Sequence, residues 1–159
     1  AIPFQTIHLD IVKSTMVLFL FFFLHHAIHE EEQNEDLFKY LETALQWLDT
    51  HNETSNFHLI LMLEITKFLG FYPDTSDQDL PFFEMNEGVF SLFQAISCLS
   101  EYASFLLKKL IDLRLDSDQK VFHIIERQIL LKILIDYYSF HLDGFKKPKS
   151  LEILKEVFS

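Results

Sequence analysis

Glycine and proline are scarce in this sequence, which has three glycines and four prolines among 159 residues. Loop-rich and all-β proteins need these residues at their many turns, so the chain is predicted to be all-α. Its hydrophobic content of 49% is enough to bury one core, which predicts a single helical domain over residues 1–159. The three glycines are too widely spaced for the glycine-rich phosphate-binding motifs, which excludes Rossmann and P-loop nucleotide binding.

Six helices are predicted from the spacing of apolar residues and from capping residues. The third has apolar residues at nine of thirteen positions from Phe57 to Leu69, so it is expected to be central and to end at Gly70. The predicted helices run from about Asp10 to Glu30, from Asn34 through Leu48, from about Asn56 to Leu69, from Ser100 through Leu110, from Ser117 or Asp118 to just before Gly144, and from Ser150 onwards.

The fifth helix carries a polar stripe at helical intervals, which predicts its buried face. The stripe contains Gln119, His123, Glu126, Arg127, Gln128, Lys132, Asp136, Ser139 and Asp143. The residues expected in the core are Phe122, Ile125, Ile129, Ile133, Tyr137 and Phe140.

The helical pattern is lost between residues 72 and 97, where Pro73 and Pro81 interrupt it. Two short apolar runs between Leu80 and Phe93 flank the sequence Met85-Asn86-Glu87-Gly88, which predicts a β-hairpin. The predicted architecture is therefore an irregular bundle of about six helices with a small β-hairpin insert near residues 80–93. The hairpin is expected to pack through Phe82, Phe83, Phe90 and Phe93.

The apolar run from Met16 to Leu24 has nine residues, whereas a membrane span needs about 20, so it is predicted to be a core helix. No secretory signal pattern is present, because Asp10 stands where a basic segment is required. Cys98 is the only cysteine, so it is expected to be a buried small hydrophobe in a cytoplasmic protein. The chain begins with Ala1 rather than Met, which we interpret as the C-terminal part of a longer protein.

Charge is distributed unevenly. Residues 1–100 contain three lysines against fifteen acids, a net charge of −12, while residues 101–159 contain ten basic and nine acidic residues, a net charge of +1. The N-terminal two-thirds would repel nucleic acid, because phosphate neutralisation supplies most non-specific affinity for it. The cluster Lys146, Lys147 and Lys149 is the candidate anion site, with Lys120, Arg127 or Lys132 near it, and its alternative role is solubility around a turn at Pro148.

The segment His25–Glu32, with the sequence HHAIHEEE, is the strongest candidate for catalysis. His25 and His29 are four residues apart, so both lie on one helical face and could supply two ligands of a metal. The pattern is not the HExxH motif of zinc proteases, and no matching pair of ligands occurs elsewhere. A solvated helix end is therefore the favoured interpretation, with no metal and no catalytic residue.

Two segments resemble the C-terminal helical domain of the RecO family of bacterial recombination mediators. In the first, residues 57–76, an apolar helix ends in Gly70-Phe71-Tyr72-Pro73-Asp74, where that family leaves its central helix. In the second, residues 141–158, Gly144 and a basic spacer precede Ser150 and a short final helix. The family's zinc-ribbon cysteines are absent between Asp74 and Phe93, so neither zinc nor another cofactor is expected.

The resemblance implies an N-terminal oligonucleotide-binding barrel before this domain, and DNA binding mainly through that barrel. It also implies RecR as a partner, assistance in loading RecA, and strand annealing. In this family the helical domain receives the acidic, Phe-terminated tail of the single-stranded-DNA-binding protein, a ligand that requires cations and an apolar pocket. The residues expected to bind this tail are Arg127, Lys132, Lys146, Lys147 and Lys149, beside Phe145, Leu151 and Leu154.

Three functional classes therefore remain open. A non-catalytic DNA repair module is favoured by the resemblance and by the lack of an acid, base or nucleophile at convincing spacing. The alternatives are a metal-dependent helical-bundle enzyme built on residues His25–Glu32, and a helical scaffold that dimerises through exposed Phe and Leu side chains.

Overall fold

The computed structural model describes residues 4–5, 10–27, 35–52, 54–116, 120–143 and 145. These residues form five α-helices and one two-stranded sheet, which confirms the predicted helical fold with a small hairpin. The sixth predicted helix, from Ser150, lies outside the described residues. In chain order the elements are α1 (Ile11–Ala27), α2 (Glu35–Thr50), α3 (Phe57–Leu69), β1 (Phe82–Glu84), β2 (Val89–Ser91), α4 (Glu101–Asp112) and α5 (Ile124–His141).

Helix α3 is the centre of the core. Nine of its thirteen side chains are buried, and α2, α4 and α5 all pack against it, as a helix that is apolar on every side requires. From α5, the Tyr138 hydroxyl donates a hydrogen bond to the carbonyl oxygen of Met62 at 2.6 Å. The helix ends at Gly70, whose φ of 92° is left-handed. The central position and the glycine stop are both confirmed.

Aromatic rings join α1 to the end of α5. The Phe23 ring meets the Tyr138 ring edge-on at a centroid distance of 4.5 Å and the Phe145 ring at 5.7 Å. One turn earlier, Phe19 stacks on Phe23 at 6.0 Å. The apolar run of α1 thus supplies core side chains, as predicted. None of the described helices is long and apolar enough to cross a membrane.

The hairpin is fixed to α4 by one buried hydrogen bond. Phe83 of β1 pairs with Phe90 of β2, and both rings are buried. The backbone N–H of Phe83 donates to the hydroxyl of Ser104 in α4 at 2.9 Å. Ser100 caps that helix, because its hydroxyl accepts from the N–H of Ala103 at 3.1 Å. The predicted hairpin and the predicted cap are both confirmed.

The segment after the hairpin runs along the other edge of β1. The N–H of Met85 donates to the carbonyl of Ser97 at 3.0 Å, and the N–H of Leu99 donates to the carbonyl of Phe83 at 2.9 Å. The intervening loop turns its side chains outwards, so the Phe93 ring is 78% exposed. The prediction that Phe93 packs within the hairpin is therefore wrong.

The hairpin turn requires a glycine. Gly88 has a φ of 70°, and a Cβ atom there would lie 2.5 Å from the Tyr137 hydroxyl oxygen. That hydroxyl donates to the carbonyl of Phe71 at 2.6 Å. The turn therefore packs against a ring that also secures the chain just after α3.

Helix α5 begins later than predicted. Residues 120–123 are not helical, and His123 is the N-cap. Its Nδ1 accepts from the N–H of Glu126 at 3.4 Å, and the Glu126 carboxylate accepts from the N–H of His123 at 3.1 Å. This reciprocal capping box satisfies the first free N–H groups, so the predicted start at Ser117 or Asp118 is wrong.

The buried face of α5 is also rotated from the predicted one. Ile125 and Phe140 were expected in the core, but they are 60% and 49% exposed. The side chains that face α3 and α1 include Leu130, Leu134 and Tyr138, spaced four residues apart and fully buried. Phe122, Ile133 and Tyr137 are buried as predicted.

Candidate functional site: a basic helix start and an apolar groove

Arg127 lies in the first turn of α5, half-buried against the core. Its Nη1 donates to the carbonyl of Phe122 at 2.6 Å, and its Nε is enclosed without a hydrogen-bond partner. None of the acidic side chains in the described part of the chain forms a salt bridge with it. Burial lowers the pKa of Arg127, although a guanidinium remains charged at any physiological pH. The first turn of α5 thus holds a cation that forms no ion pair with a carboxylate of the described residues.

Burial and the positive charge of Arg127 both affect the pKa of His58 in α3. Its side chain is 2% exposed, and burial together with the positive charge of Arg127 lowers the pKa of His58 to about 3. The imidazole is therefore neutral at neutral pH. It therefore adds no positive charge beside Arg127.

Lys132 points away from Arg127. Five residues separate the two on α5, which corresponds to a rotation of about 140° around the helix axis. The Lys132 side chain is 73% exposed, and its ammonium lies 2.8 Å from the carboxylate of Asp136. The structure therefore does not bring these two predicted site residues together. The other three, Lys146, Lys147 and Lys149, lie outside the described residues.

The candidate metal segment is described only at its beginning. His25 is exposed near the end of α1, while His29 and Glu30 to Glu32 lie outside the described residues. Among the side chains that the structure describes, no group of three or more His, Cys, Asp or Glu residues is arranged to hold a metal ion.

A groove that sequence reasoning missed lies between the segment after the hairpin and the outer face of α5. It has a cavity volume of about 450 Å³, within the range of small binding pockets. Its lining is mostly apolar, and the residues that supply it include Met85, Ile96, Cys98, Leu99 and Phe140. Cys98 is half-buried in this lining rather than buried in the core, which corrects the prediction for it. We call this feature the hairpin groove.

Two carboxylates and one ammonium border the hairpin groove. Asp136 lines it and holds Lys132, so that ion pair stands at its rim. Ser97 also lines it and donates its hydroxyl to the carboxylate of Glu84. Burial raises the pKa of Glu84, but hydrogen bonds from the Ser97 hydroxyl and from backbone N–H groups lower it more, so the net shift is downward. Glu84 is therefore an anion at neutral pH.

Comparison with known proteins identifies the family. The family model described as Recombination protein O C terminal matches residues 8–152. The chain is 68% identical over 159 residues to the DNA repair protein RecO of Flavobacterium johnsoniae and 65% identical over 160 residues to that of Flavobacterium psychrophilum, covering all of this chain and 67% of each relative. It is 40% identical to the DNA repair protein RecO of Christiangramia forsetii, over 98% of this chain and 66% of that protein.

No solved structure matches the chain at a significant level. The family match spans most of the bundle described above, including α3, the hairpin and α5, and the relatives match over nearly the whole length of the chain. The chain therefore belongs to the RecO family of DNA repair proteins and matches the model of the C-terminal part of those proteins.

Proposed function

We propose that this chain is the partner-binding part of a cytoplasmic DNA recombination mediator and that it has no catalytic role. The proposed partners are the acidic, Phe-terminated tail of the single-stranded-DNA-binding protein and RecR, and the proposed outcome is assistance with RecA loading and strand annealing. Membership of a family of DNA repair proteins supports the repair role. DNA itself is proposed to be bound mainly by an N-terminal oligonucleotide-binding barrel, because the net charge of −11 opposes approach to phosphate.

The observation that carries the tail proposal is the guanidinium of Arg127. It is half-buried, it donates one hydrogen bond to a backbone carbonyl, and no described carboxylate pairs with it. Hydrogen bonds between Arg and a carboxylate are among the strongest that proteins form, and a partly buried cation gains most from them. An acidic tail would supply a carboxylate to pair with this guanidinium.

The lysine cluster is proposed to act as a second contact rather than as part of one compact site. Phe145, the residue before the cluster, packs 5.6 Å from the ring of Tyr138. Tyr138 is eleven residues beyond Arg127, about 16 Å along the axis of α5. An extended tail covers that distance with about five residues. Lys132 contributes less in this proposal, because Asp136 already neutralises it.

Binding of a synthetic tail peptide tests the proposal. We expect Arg127→Gln to weaken binding by about ten- to a hundredfold and to reduce its salt dependence, because one charge-assisted hydrogen bond contributes on the order of 1.5 to 3 kcal/mol. Reversing Lys146, Lys147 and Lys149 to Glu together is expected to weaken it further. Fluorescence anisotropy with a labelled peptide at two salt concentrations measures both effects.

The matched control is Lys39→Glu. Lys39 is exposed on α2, so this variant changes the net charge without touching α5. We expect unchanged peptide affinity. If Arg127→Gln and the triple variant bind as tightly as the unmodified chain, the site lies elsewhere. If no tail peptide binds the unmodified chain at all, the proposed partner is wrong.

A further inference from the structure

We propose that the hairpin groove is a second docking site, and that its occupant is a protein segment with an apolar anchor residue flanked by Lys or Arg. This site is separate from Arg127 at the start of α5. The hairpin groove favours a positively charged ligand, whereas Arg127 favours a negatively charged one. The inference goes beyond tail binding, and neither depends on the other.

The first support is the exposure of large apolar side chains around the hairpin groove. Ile96 is fully exposed and Phe140 is 49% exposed, and both line the groove, while Phe93, three residues before Ile96 in sequence, is 78% exposed. Exposed apolar surface is unfavourable in water, and a contiguous patch of it marks a binding surface. A segment that covers these side chains would remove this surface from water.

The second support is that this surface is held in a fixed shape. Hydrogen bonds tie residue 97 to Met85, just after β1, and residue 99 to Phe83 of β1, and the N–H of Cys98 donates to the carbonyl of Ala95 at 3.1 Å. On the opposite wall, Phe140 belongs to the regular helix α5. The two walls are therefore set before a ligand arrives, which lowers the entropy cost of binding.

The size of the patch favours a short segment over a second copy of this chain. The exposed parts of Phe93, Ile96 and Phe140 amount to roughly 400 Å². A stable protein dimer buries about 800 Å² on each partner. Each copy also carries a net charge of −11, so two copies repel each other. A peptide segment with one or two anchor residues matches the available area.

The charge around the hairpin groove determines the flanking residues of the occupant. The Asp136 carboxylate is paired with the Lys132 ammonium, so the further anion beside the groove is Glu84, whose carboxylate accepts a hydrogen bond from the lining residue Ser97. An acidic tail would meet like charges here, whereas Lys or Arg beside the anchor would meet a carboxylate. The acidic partner is thus directed to Arg127, and the basic one to the hairpin groove.

Selection from a displayed library of random twelve-residue peptides tests this inference without a named partner. We expect the peptides retained by the unmodified chain, but not by Ile96→Ser, to carry an apolar residue next to Lys or Arg. A labelled peptide of this kind should bind at least tenfold more weakly to Ile96→Ser and to Phe140→Ser. Asp136→Asn should reduce its preference for basic over acidic flanks.

The matched control is Ile125→Ser, which makes the same substitution at an exposed isoleucine in the first turn of α5. It should bind the selected peptides normally, and Ile96→Ser should bind the tail peptide normally, so the two proposals can fail separately. The inference is overturned if the selection enriches nothing that depends on Ile96, or if the dependent peptides are acidic. A dimer in sedimentation that Phe93→Ser abolishes would also overturn it, because a second copy would then be the occupant.

Discussion

Helix α3 and the loop of residues 92–99 have similar compositions and opposite environments. Nine of thirteen residues in α3 and six of eight in the loop are apolar. Nine α3 side chains are buried, whereas none of the eight in the loop is buried. Three helices of the same chain cover α3, and no described element covers the loop to that extent. Apolar content therefore indicates how much apolar surface a segment has. The fold determines whether other parts of the same chain bury that surface.

The two regions also hold their shape by different means. Helix α3 is fixed by packing, and the loop is fixed by backbone hydrogen bonds to β1. Side chains in α3 should accordingly contribute to the free energy of unfolding, while side chains in the loop should contribute to binding. The predictions below test this division, beginning with the largest expected effect.

A cavity in α3 should destabilise the protein most. Leu61 is fully buried, so Leu61→Ala is expected to lower the free energy of unfolding by about 2 to 5 kcal/mol. The matched loop variant Ile96→Ala should change it by less than about 0.5 kcal/mol, because that side chain is already in water. Urea unfolding followed by circular dichroism measures both values. Similar losses of unfolding free energy for the two variants would contradict the proposed difference between α3 and the loop.

Acid should destabilise the core through His58. Its pKa of about 3 in the folded protein lies below the value of about 6.5 in an unfolded chain, so the unfolded state binds the extra proton between these values. Stability is therefore complete above about pH 6.5 and falls as the pH drops towards 3, by about 1.4 kcal/mol per pH unit at most. Urea unfolding at several pH values should show this slope, and His58→Gln should flatten it. An unchanged slope in that variant would show that other groups cause the acid sensitivity.

Alanine at Gly88 should disturb the junction between the hairpin and the core. Its Cβ would lie 2.5 Å from the Tyr137 hydroxyl oxygen, in addition to the strain of a positive φ, so we expect a loss of about 1 to 3 kcal/mol. Gly70→Ala is the control, because its φ is also positive but nothing lies within 4 Å of the added atom. That variant should lose only about 1 kcal/mol. Equal losses in thermal or urea unfolding would show that the Tyr137 contact contributes nothing.

Phe93→Ser in the loop should have the smallest effect on stability. The ring is 78% exposed, so we expect a change of less than about 0.5 kcal/mol in the free energy of unfolding. Light scattering should show less aggregation at high protein concentration, because an exposed apolar ring has been removed. A large loss of stability would mean that the loop belongs to the core after all.

Local signals made much of the fold predictable from the sequence. The glycine after α3, the serine before α4 and the four-residue hairpin turn each act through their own backbone, so their effects are readable without the rest of the chain. The start of α5 was not predictable in this way. Ser117, Asp118 and His123 precede the same helix, and residue type alone favours the first two.

Features that depend on distant segments were not predictable. The exposure of Ile125 and Phe140 follows from how α5 lies on α3, and polar spacing along α5 alone does not contain that information. The hairpin groove combines Met85 with Ser139, which are 54 residues apart in sequence. Arg127 was predicted as a site residue from its charge, but its separation from Lys132 around the helix emerged only from the fold. Its role in binding stays a prediction.

Two adjacent tyrosines give α5 a mechanical property. The Tyr137 hydroxyl binds the carbonyl of Phe71, beyond the end of α3, and the Tyr138 hydroxyl binds the carbonyl of Met62 inside it. One of these hydrogen bonds is made within α3 and the other just beyond its end, so α5 cannot slide along α3 or rotate against it without breaking both. Arg127 and Phe140 are thirteen residues apart on this helix, or about 20 Å. Helix α5 is thus held in a fixed position, and ligands bound near its two ends would be separated by a distance that the fold sets.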